Sequence, residues 1–552
     1  MSTTPENPPT PESSERFLRL PADKIVLLSA ATLALGFVLW GIFDNKGLAS
    51  VSGDALAWVI KSFGWLFVLA STGFVVLAVV LACSRWGRIR LGRDDEKPEF
   101  RTVSWVTMMF SAGMGIGLMF YGVAEPLSHL SAPPMGLAEP NSQEGAQLAI
   151  QYSFFHWAFH PWAMYAIVGL ALAYFSFRHG RANLISSTFF PLLGKRSEGG
   201  AGRAIDTFAI LATLFGSATS LGLGALQINS GLNQLYDVPK STPMAIGIIS
   251  VLTLAFIVSA VSGVHRGVQY LSNLNMVLAV ALLFFLFVVG PTVFILSTFT
   301  ESTGDYLYQI APMSFRSGAF GGQDWLGGWT IFYWAWWMSW TPFVGAFIAR
   351  ISRGRTIREF VFGVVLAPSL VTFVWFSILG GISINLQLGG TDLAGALEQG
   401  QETALFELLR QYPWFALTAL IVVILVAFFF ISGADAAALV MGMLSCRGCR
   451  EPGTLVTIFW GVMTGAVAGI LLLAGGLSAL QTLCILAAFP FMFIMIGAAV
   501  ALVKELRNEP DPAPRPGRRR ATATLAELDE LDEEAITASP NGAAPASHSP
   551  VA

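Results

Sequence analysis

The side chains in this chain best equipped for chemistry are aromatic. From Phe332 to Gly345 it reads Phe-Tyr-Trp-Ala-Trp-Trp-Met-Ser-Trp-Thr-Pro-Phe-Val-Gly, with four tryptophans in seven residues and no charged group. On a helix Trp336 and Trp340 share a face, and Trp337 lies one position round it. Electron-rich ring faces gathered in a dry place attract a quaternary ammonium group. Tryptophan in a membrane helix also marks the headgroup belt, but Trp336 and Trp340 fall near the middle of the apolar run 329–349. A second aromatic group, Trp157, Trp162 and Tyr165, surrounds His156, His160 and Pro161 in the run 146–177. Neither run contains an acidic residue. A bare cation between them would lack a counter-charge, which is costly at low dielectric, whereas a zwitterion brings its own carboxylate. The pattern therefore points to a trimethylammonium zwitterion. Backbone N–H groups freed among Gly113, Gly115 and Gly117 are placed to meet its carboxylate.

Other candidates are weaker. His156 and His160 stand i, i+4, a spacing that suits a metal or a proton relay. Their run supplies no carboxylate or cysteine to complete a site, so packing is the expected role. Ser432 offers a hydroxyl to a small hard cation such as sodium, although serine in a membrane helix usually bonds its own i−4 carbonyl. Cys446 and Cys449 form a lone Cys-x-x-Cys with no second Cys or His pair near it for zinc.

The elements that must carry these residues are membrane helices. The 552 residues are 54% hydrophobic and 12% charged, about half the charge of a soluble domain. Twelve apolar runs are long enough to span a bilayer: 25–43, 63–83, 103–123, 146–177, 207–235, 243–264, 268–299, 329–349, 360–386, 413–444, 455–474 and 480–503. Loops taken alternately hold 18 Lys and Arg in one set and five in the other, so the first set and both termini are expected on the cytoplasmic side of the plasma membrane. The third run contains repeated glycines, which favour unwinding. The eighth contains Pro342, which frees the carbonyl of Met338. With the first two runs set aside, these are the first members of two sets of five, and paired interruptions of this kind point to a transporter built from inverted repeats.

The sequence resembles the betaine/choline/carnitine transporter family, most closely its sodium-coupled glycine betaine members. The likeness runs over about 102–504 and is carried by Gly113-Met114-Gly115-Ile116-Gly117-Leu118-Met119-Phe120-Tyr121-Gly122 with Glu125-Pro126, by His156-Trp157 and His160-Pro161-Trp162, and by the stretch from Trp334 through Trp340-Thr341-Pro342-Phe343 to Arg350–Phe360. The resemblance implies an all-α polytopic fold of 12 transmembrane helices, two extra helices followed by a ten-helix leucine-transporter-like inverted repeat, assembled as a homotrimer. It implies a substrate-binding set of Trp157, Trp162, Tyr165, Trp336, Trp337 and Trp340, with Gly113, Gly115 and Gly117 facing the substrate. It implies no cofactor other than sodium as coupling ion, held by Ser111, Met114, Phe429 and Ser432, with a second site at Thr213 and Ser217. Where the family commonly has Thr-Ser, this chain has Ser432-Gly433, one side-chain oxygen fewer.

The expected organisation is an N-terminal tail (1–19), two extra helices and a cytoplasmic loop (20–101), a first five-helix repeat with its connector (102–328), a second repeat (329–506) and a C-terminal tail (507–552). In that tail Arg515–Arg520 form a basic run suited to anionic lipid, followed by acidic sequence. The expected function is uptake of glycine betaine or a similar compatible solute, sodium-driven, for osmoprotection. Choline or carnitine transport with proton coupling or exchange is the alternative. A membrane enzyme or a channel fits poorly, because no nucleophile–base set lies within the runs and a closed aromatic cage binds where a channel must conduct. Nothing points to nucleic acid; the expected partners are a small zwitterion and the lipid bilayer.

Overall fold

A computed structural model describes residues 23–113, 115–262, 265–449 and 451–510. Both tails beyond these limits, with the basic run expected to meet lipid and the acidic run after it, lie outside the described residues. By contacts, the described chain to Asn508 forms a first compact unit.

The first unit is helical, with one isolated bridge between Arg90 and Thr356 among the described residues. Its long helices are α1 (Lys24–Phe43), α2 (Asn45–Cys83), α3 (Thr102–Gly113), α4 (Ile116–Ser131), α5 (Gln143–Trp157), α6 (Phe159–Ala173), α7 (Gly200–Tyr236), α8 (Thr242–Ser262), α9 (His265–Val289), α10 (Thr292–Ser314), α11 (Phe332–Ile351), α12 (Ile357–Leu388), α13 (Phe415–Ser445) and α14 (Thr454–Asn508). Among the described residues eight segments are long and apolar enough to cross a bilayer, or nine if the bent pair α9–α10 is one span.

The breaks between and within helices differ from the expected ones in instructive ways. The third run parts where its glycines predict, between α3 and α4. The eighth does not part: α11 runs unbroken through Pro342, and its irregular turn lies upstream at Gly327–Ile331. The seventh run is cut at Gly290-Pro291, and α10 leaves at 110° to α9. Proline has no N–H to continue the ladder, so the apolar stretch 268–299 is not one rod. The fourth run breaks unexpectedly at Ala158, whose backbone is non-helical (φ −99°, ψ −113°). The last two runs are joined in α14, where non-helical Gly475 and Gly476 mark the division between them. A straight helix of that length would be roughly 80 Å long, far beyond a bilayer.

Burial sorts the helices into an inner and an outer set. The most apolar window of the Gln143–Arg178 segment is 94% buried and that of α7 is 89% buried, against 28% for α1 and 22% for the Thr242–Ala260 part of α8. An apolar helix with an exposed flank must meet lipid, so α1 and α8 are peripheral while α5, α6 and α7 form the interior.

The arginines at 350–358 do more than supply topogenic charge. Backbone bonds Leu91 N–Arg355 O (2.8 Å), Gly354 N–Leu91 O (2.8 Å) and Ile357 N–Ile89 O (2.9 Å) clasp the α2–α3 connection onto the α11–α12 turn. Arg353 pairs with Glu96 at 2.6 Å, Arg350 with Glu99 at 3.2 Å, and the Arg355 guanidinium lies 3.9 Å over the Trp105 ring. Thr356 and Glu359 close the start of α12 as a capping box. Cys446 and Cys449, expected to stand without metal partners, are joined to each other as a disulfide.

Gly354 sits at φ +79°, and a Cβ there would lie 2.3 Å from the Lys97 carbonyl oxygen. Gly354→Ala should therefore loosen the clasp, costing about 1–3 kcal/mol from backbone strain. Thermal unfolding in detergent should shift down, and limited proteolysis within 92–99 should quicken relative to the parent.

Candidate functional site

The predicted aromatic residues converge in the interior. Trp336 and Trp337 stack with centroids 5.0 Å apart and planes 11° apart. Trp157 stands edge-on to Trp337 at 4.8 Å and to Trp336 at 6.1 Å. Trp340 closes on both from the next turn, at 6.0 and 6.3 Å. Tyr165 reaches Trp337 at 6.5 Å and Trp162 at 5.5 Å. Five of these six side chains are buried and only Trp340 is partly exposed. A headgroup belt would stand exposed, whereas Trp336 is 0% exposed against 57% and 53% for Trp58 and Trp65. The belt reading is thereby excluded for this cluster.

Each ring of the central four is oriented by its own N–H. The indole of Trp157 donates to Glu125 Oε2 (2.8 Å), Trp336 to Ser220 Oγ (3.2 Å), Trp337 to the His156 carbonyl (2.9 Å) and Trp340 to the Gly216 carbonyl (3.1 Å). With their edges fixed to protein, the rings are held for whatever meets their faces. The Tyr165 hydroxyl is buried with no hydrogen-bond partner among the described residues, an orphan that a polar ligand or water can satisfy.

The break at Ala158 explains one of these bonds and a further one beside it. Pro161 has no N–H to give the Trp157 carbonyl, and the Thr372 hydroxyl supplies one instead at 3.1 Å. The His156 carbonyl, left open by the same break, takes the Trp337 indole. Gly117 lies against the cluster: a Cβ on it would fall 2.7 Å from Trp157 Cη2 and 2.8 Å from Trp336 Cη2. Gly115, at the α3–α4 break, faces the Phe429 ring, 3.7 Å from where its own Cβ would be. Gly113 ends α3.

The residue that the aromatic pattern does not announce is Glu125. It is wholly buried on α4 and accepts from His156 Nδ1 (2.7 Å), Trp157 Nε1 (2.8 Å) and Tyr333 Oη (2.5 Å), with His129 Nε2 at 3.3 Å. This overturns the expectation that the aromatic cluster has no protein carboxylate beside it. The histidines pack and hydrogen-bond as expected, but with different partners. His156 does not pair with His160; it joins Glu125 and His129 in a group with the makings of a metal site, and its other nitrogen meets Thr330 Oγ1 at 2.9 Å. His160 lies apart, stacked on Trp334 at 4.8 Å and bonded to Ser314. The third apolar run ends at Val123, two residues short of Glu125, while α4 continues to Ser131. An acid in the last turns of a span is the signal that would have found it.

The sodium candidates divide. Ser432 Oγ bonds the carbonyls of Phe428 (2.9 Å) and Phe429 (3.3 Å) in its own helix. Met114 lies outside the described residues, and Ser111 belongs to α3. Thr213 bonds the Ala209 carbonyl at 2.8 Å. One turn on, the buried Ser217 Oγ has no hydrogen-bond partner among the described residues.

Comparison with known proteins extends the geometry. A family model described as betaine/carnitine/choline family transporter matches residues 25–511. The chain is 45% identical over 489 residues to a probable glycine betaine transporter of Desulfitobacterium hafniense, covering 88% of this chain and 97% of that one. It is 48% identical to the glycine betaine transporter OpuD of Bacillus subtilis, covering 86% and 92%. It is 42% identical to the betaine/ectoine transporter LcoP of Corynebacterium glutamicum, covering 88% and 78%.

The contact at Gly117 can be tested without a ligand. Two rigid indoles cannot both withdraw from a new methyl group, so Gly117→Ala should destabilise the protein by about 1–3 kcal/mol. Gly433→Ala, where a Cβ meets nothing within 4 Å, should leave the thermal midpoint near that of the parent. Equal midpoints for the two variants would show that the rings are not packed on Gly117.

Proposed function

The chain belongs to the betaine/carnitine/choline transporter family, and on that premise we propose that it takes up glycine betaine or a closely similar trimethylammonium solute, driven by sodium. It is a transporter, not an enzyme. The observation that carries the substrate reading is the buried meeting of Trp157, Trp162, Tyr165, Trp336, Trp337 and Trp340 from two separate stretches of chain. A trimethylammonium group is large, weakly hydrated and unable to donate a hydrogen bond, so ring faces bind it where a carboxylate–amine pair cannot form. The gap between α3 and α4 beside Gly115 and Gly117 leaves N–H groups for the substrate carboxylate. Relatives named as betaine transporters support the same choice.

In this reading twelve spans cross the plasma membrane with both termini cytoplasmic, two preceding a pair of inverted five-helix repeats. The broken third span and the aromatic α11 head the two repeats. Three copies assemble, and lipid covers the flanks of α1 and α8. The sodium residues fit the ion's chemistry. Ser217 keeps a buried hydroxyl without a partner among the described residues, and Thr213 stands one turn before it. Ser432 and the Phe429 carbonyl lie on the helix that faces Gly115, where Ser111 and Met114 would add their carbonyls. A bound sodium ion would contribute its gradient to drive uptake. Hydroxyl and carbonyl oxygens without a carboxylate suit a weakly held monovalent ion that must also leave.

The deciding experiment is uptake of radiolabelled betaine into proteoliposomes, with and without an inward sodium gradient, against choline, carnitine and ectoine as competitors. Saturable uptake that needs the gradient and is blocked best by unlabelled betaine is expected; no betaine uptake under any gradient refutes the proposal. Trp337→Leu keeps an apolar side chain but removes a ring face, and should weaken betaine binding up to about 30-fold.

Coupling has its own pair of variants. Ser432→Ala deletes an oxygen and should raise the sodium concentration for half-maximal uptake. Gly433→Ser restores a hydroxyl where there is room for it and should lower that concentration. Sodium titrations that superimpose on the parent for both would place the ion elsewhere.

A further inference from the structure

Glu125 is not part of the ring surface, yet it touches that surface from behind. Its Oε2 takes the Trp157 N–H at 2.8 Å and the Tyr333 hydroxyl at 2.5 Å; its Oε1 takes His156 at 2.7 Å and lies 3.3 Å from His129. Indole N–H is a donor only, and four donors converging on two oxygens is the pattern of an ionised carboxylate.

The two histidines satisfy their contacts as neutral rings. His156 gives its Nδ1 proton to Glu125 and accepts the Thr330 hydroxyl proton at Nε2. His129 gives its Nε2 proton to Glu125, and its Nδ1, buried and without a partner among the described residues, is better a bare lone pair than an orphan N–H. Of the other titratable groups packed around them, Tyr121 and Tyr152 bring uncharged hydroxyls. Arg316 meets the group through the Tyr152 hydroxyl, at 3.3 Å. The group therefore carries a standing negative charge one indole ring away from the aromatic cluster.

We propose that Glu125 is a specificity-determining residue: its charge, acting through the Trp157 ring, draws quaternary ammonium groups into the cluster and favours net cations over zwitterions. The proposal rests on the substrate class assigned above. A negative acceptor on the indole N–H pushes electron density onto the ring, which strengthens its face toward a cation. The same charge repels the carboxylate of a zwitterion, so part of the gain is cancelled for betaine and kept for choline. The metal-ligating look of Glu125, His129 and His156 then has a simpler source, because four neutral donors around a carboxylate hold its charge in an apolar interior.

The test is equilibrium binding of radiolabelled betaine and choline to the purified protein in detergent. Glu125→Gln leaves an amide oxygen for Trp157 but removes the charge. Choline affinity should fall about tenfold and betaine affinity by no more than about threefold. Glu125→Asp keeps the charge and should keep the parent's choline-to-betaine ratio even where its shorter arm weakens both ligands. Equal losses for both ligands in Glu125→Gln would make Glu125 a purely structural residue and overturn the proposal. If that variant is not recovered folded, Tyr333→Phe decides: it strips one donor from the carboxylate and should raise the choline-to-betaine ratio, and an unchanged or lower ratio overturns the proposal. A parent that binds betaine but no choline overturns it as well. A parent that binds neither refutes the substrate class itself, and this role with it.

Discussion

A carboxylate in the middle of an apolar bundle cannot be left bare, and the core of this protein is arranged around that requirement. Glu125 draws donors from α4 itself, from α5 and from α11, while Thr330 braces His156 from the turn before α11. Removing one partner of a buried charge costs several kcal/mol, far more than a surface pair contributes. Three segments that are distant in sequence are thus held in one register by a single side chain. The aromatic rings are a consequence of that register, because Trp157 is itself one of the donors.

The same economy recurs in the other indoles. A tryptophan presents a face to a ligand only if its edge is held, and here the edges are held by a carboxylate, a hydroxyl and two backbone carbonyls. Those acceptors come from α4, α5 and α7, so the cluster is a junction of helices before it is a binding surface. Orientation is settled in the folded protein, which lowers the cost of ordering when a ligand arrives.

Much of this was legible in the sequence because it rests on composition and short-range spacing. Apolar runs gave the helices, the glycines gave the α3–α4 break, and tryptophans at i, i+1 and i+4 gave a shared ring surface. What escaped depends on contacts across the bundle. Glu125 stands in a family motif but has no role legible there, because hydropathy drops before it although the helix goes on, and its partners from α4, α5 and α11 make it tolerable. Pro342 looked like a breaker but is carried inside α11, where packing on both sides outweighs one lost backbone bond. Ala158, a good helix former, sits at a break instead, because Pro161 three residues later removes a donor and Trp337 and Thr372 replace what is lost. The glycines that divide α14 and the proline that bends α9 from α10 were visible, but a hydropathy window reads through them. Apart from Ser432, the sodium residues could be named only by resemblance, since single hydroxyls in helices carry almost no pattern.

The joint at Ala158 has a mechanical side. Its two open carbonyls are pinned to α11 through Trp337 and to α12 through Thr372, so bending between α5 and α6 alone would break those bonds. If α11 rolls, the Trp337 N–H leaves the His156 oxygen and a peptide dipole is stranded in oil-like surroundings. The strain is relieved only if the joint re-angles in step. Two parts of the chain that contribute rings to the same cluster therefore share one degree of freedom, like meshed gears, and whatever grips the rings also sets the brake on their motion.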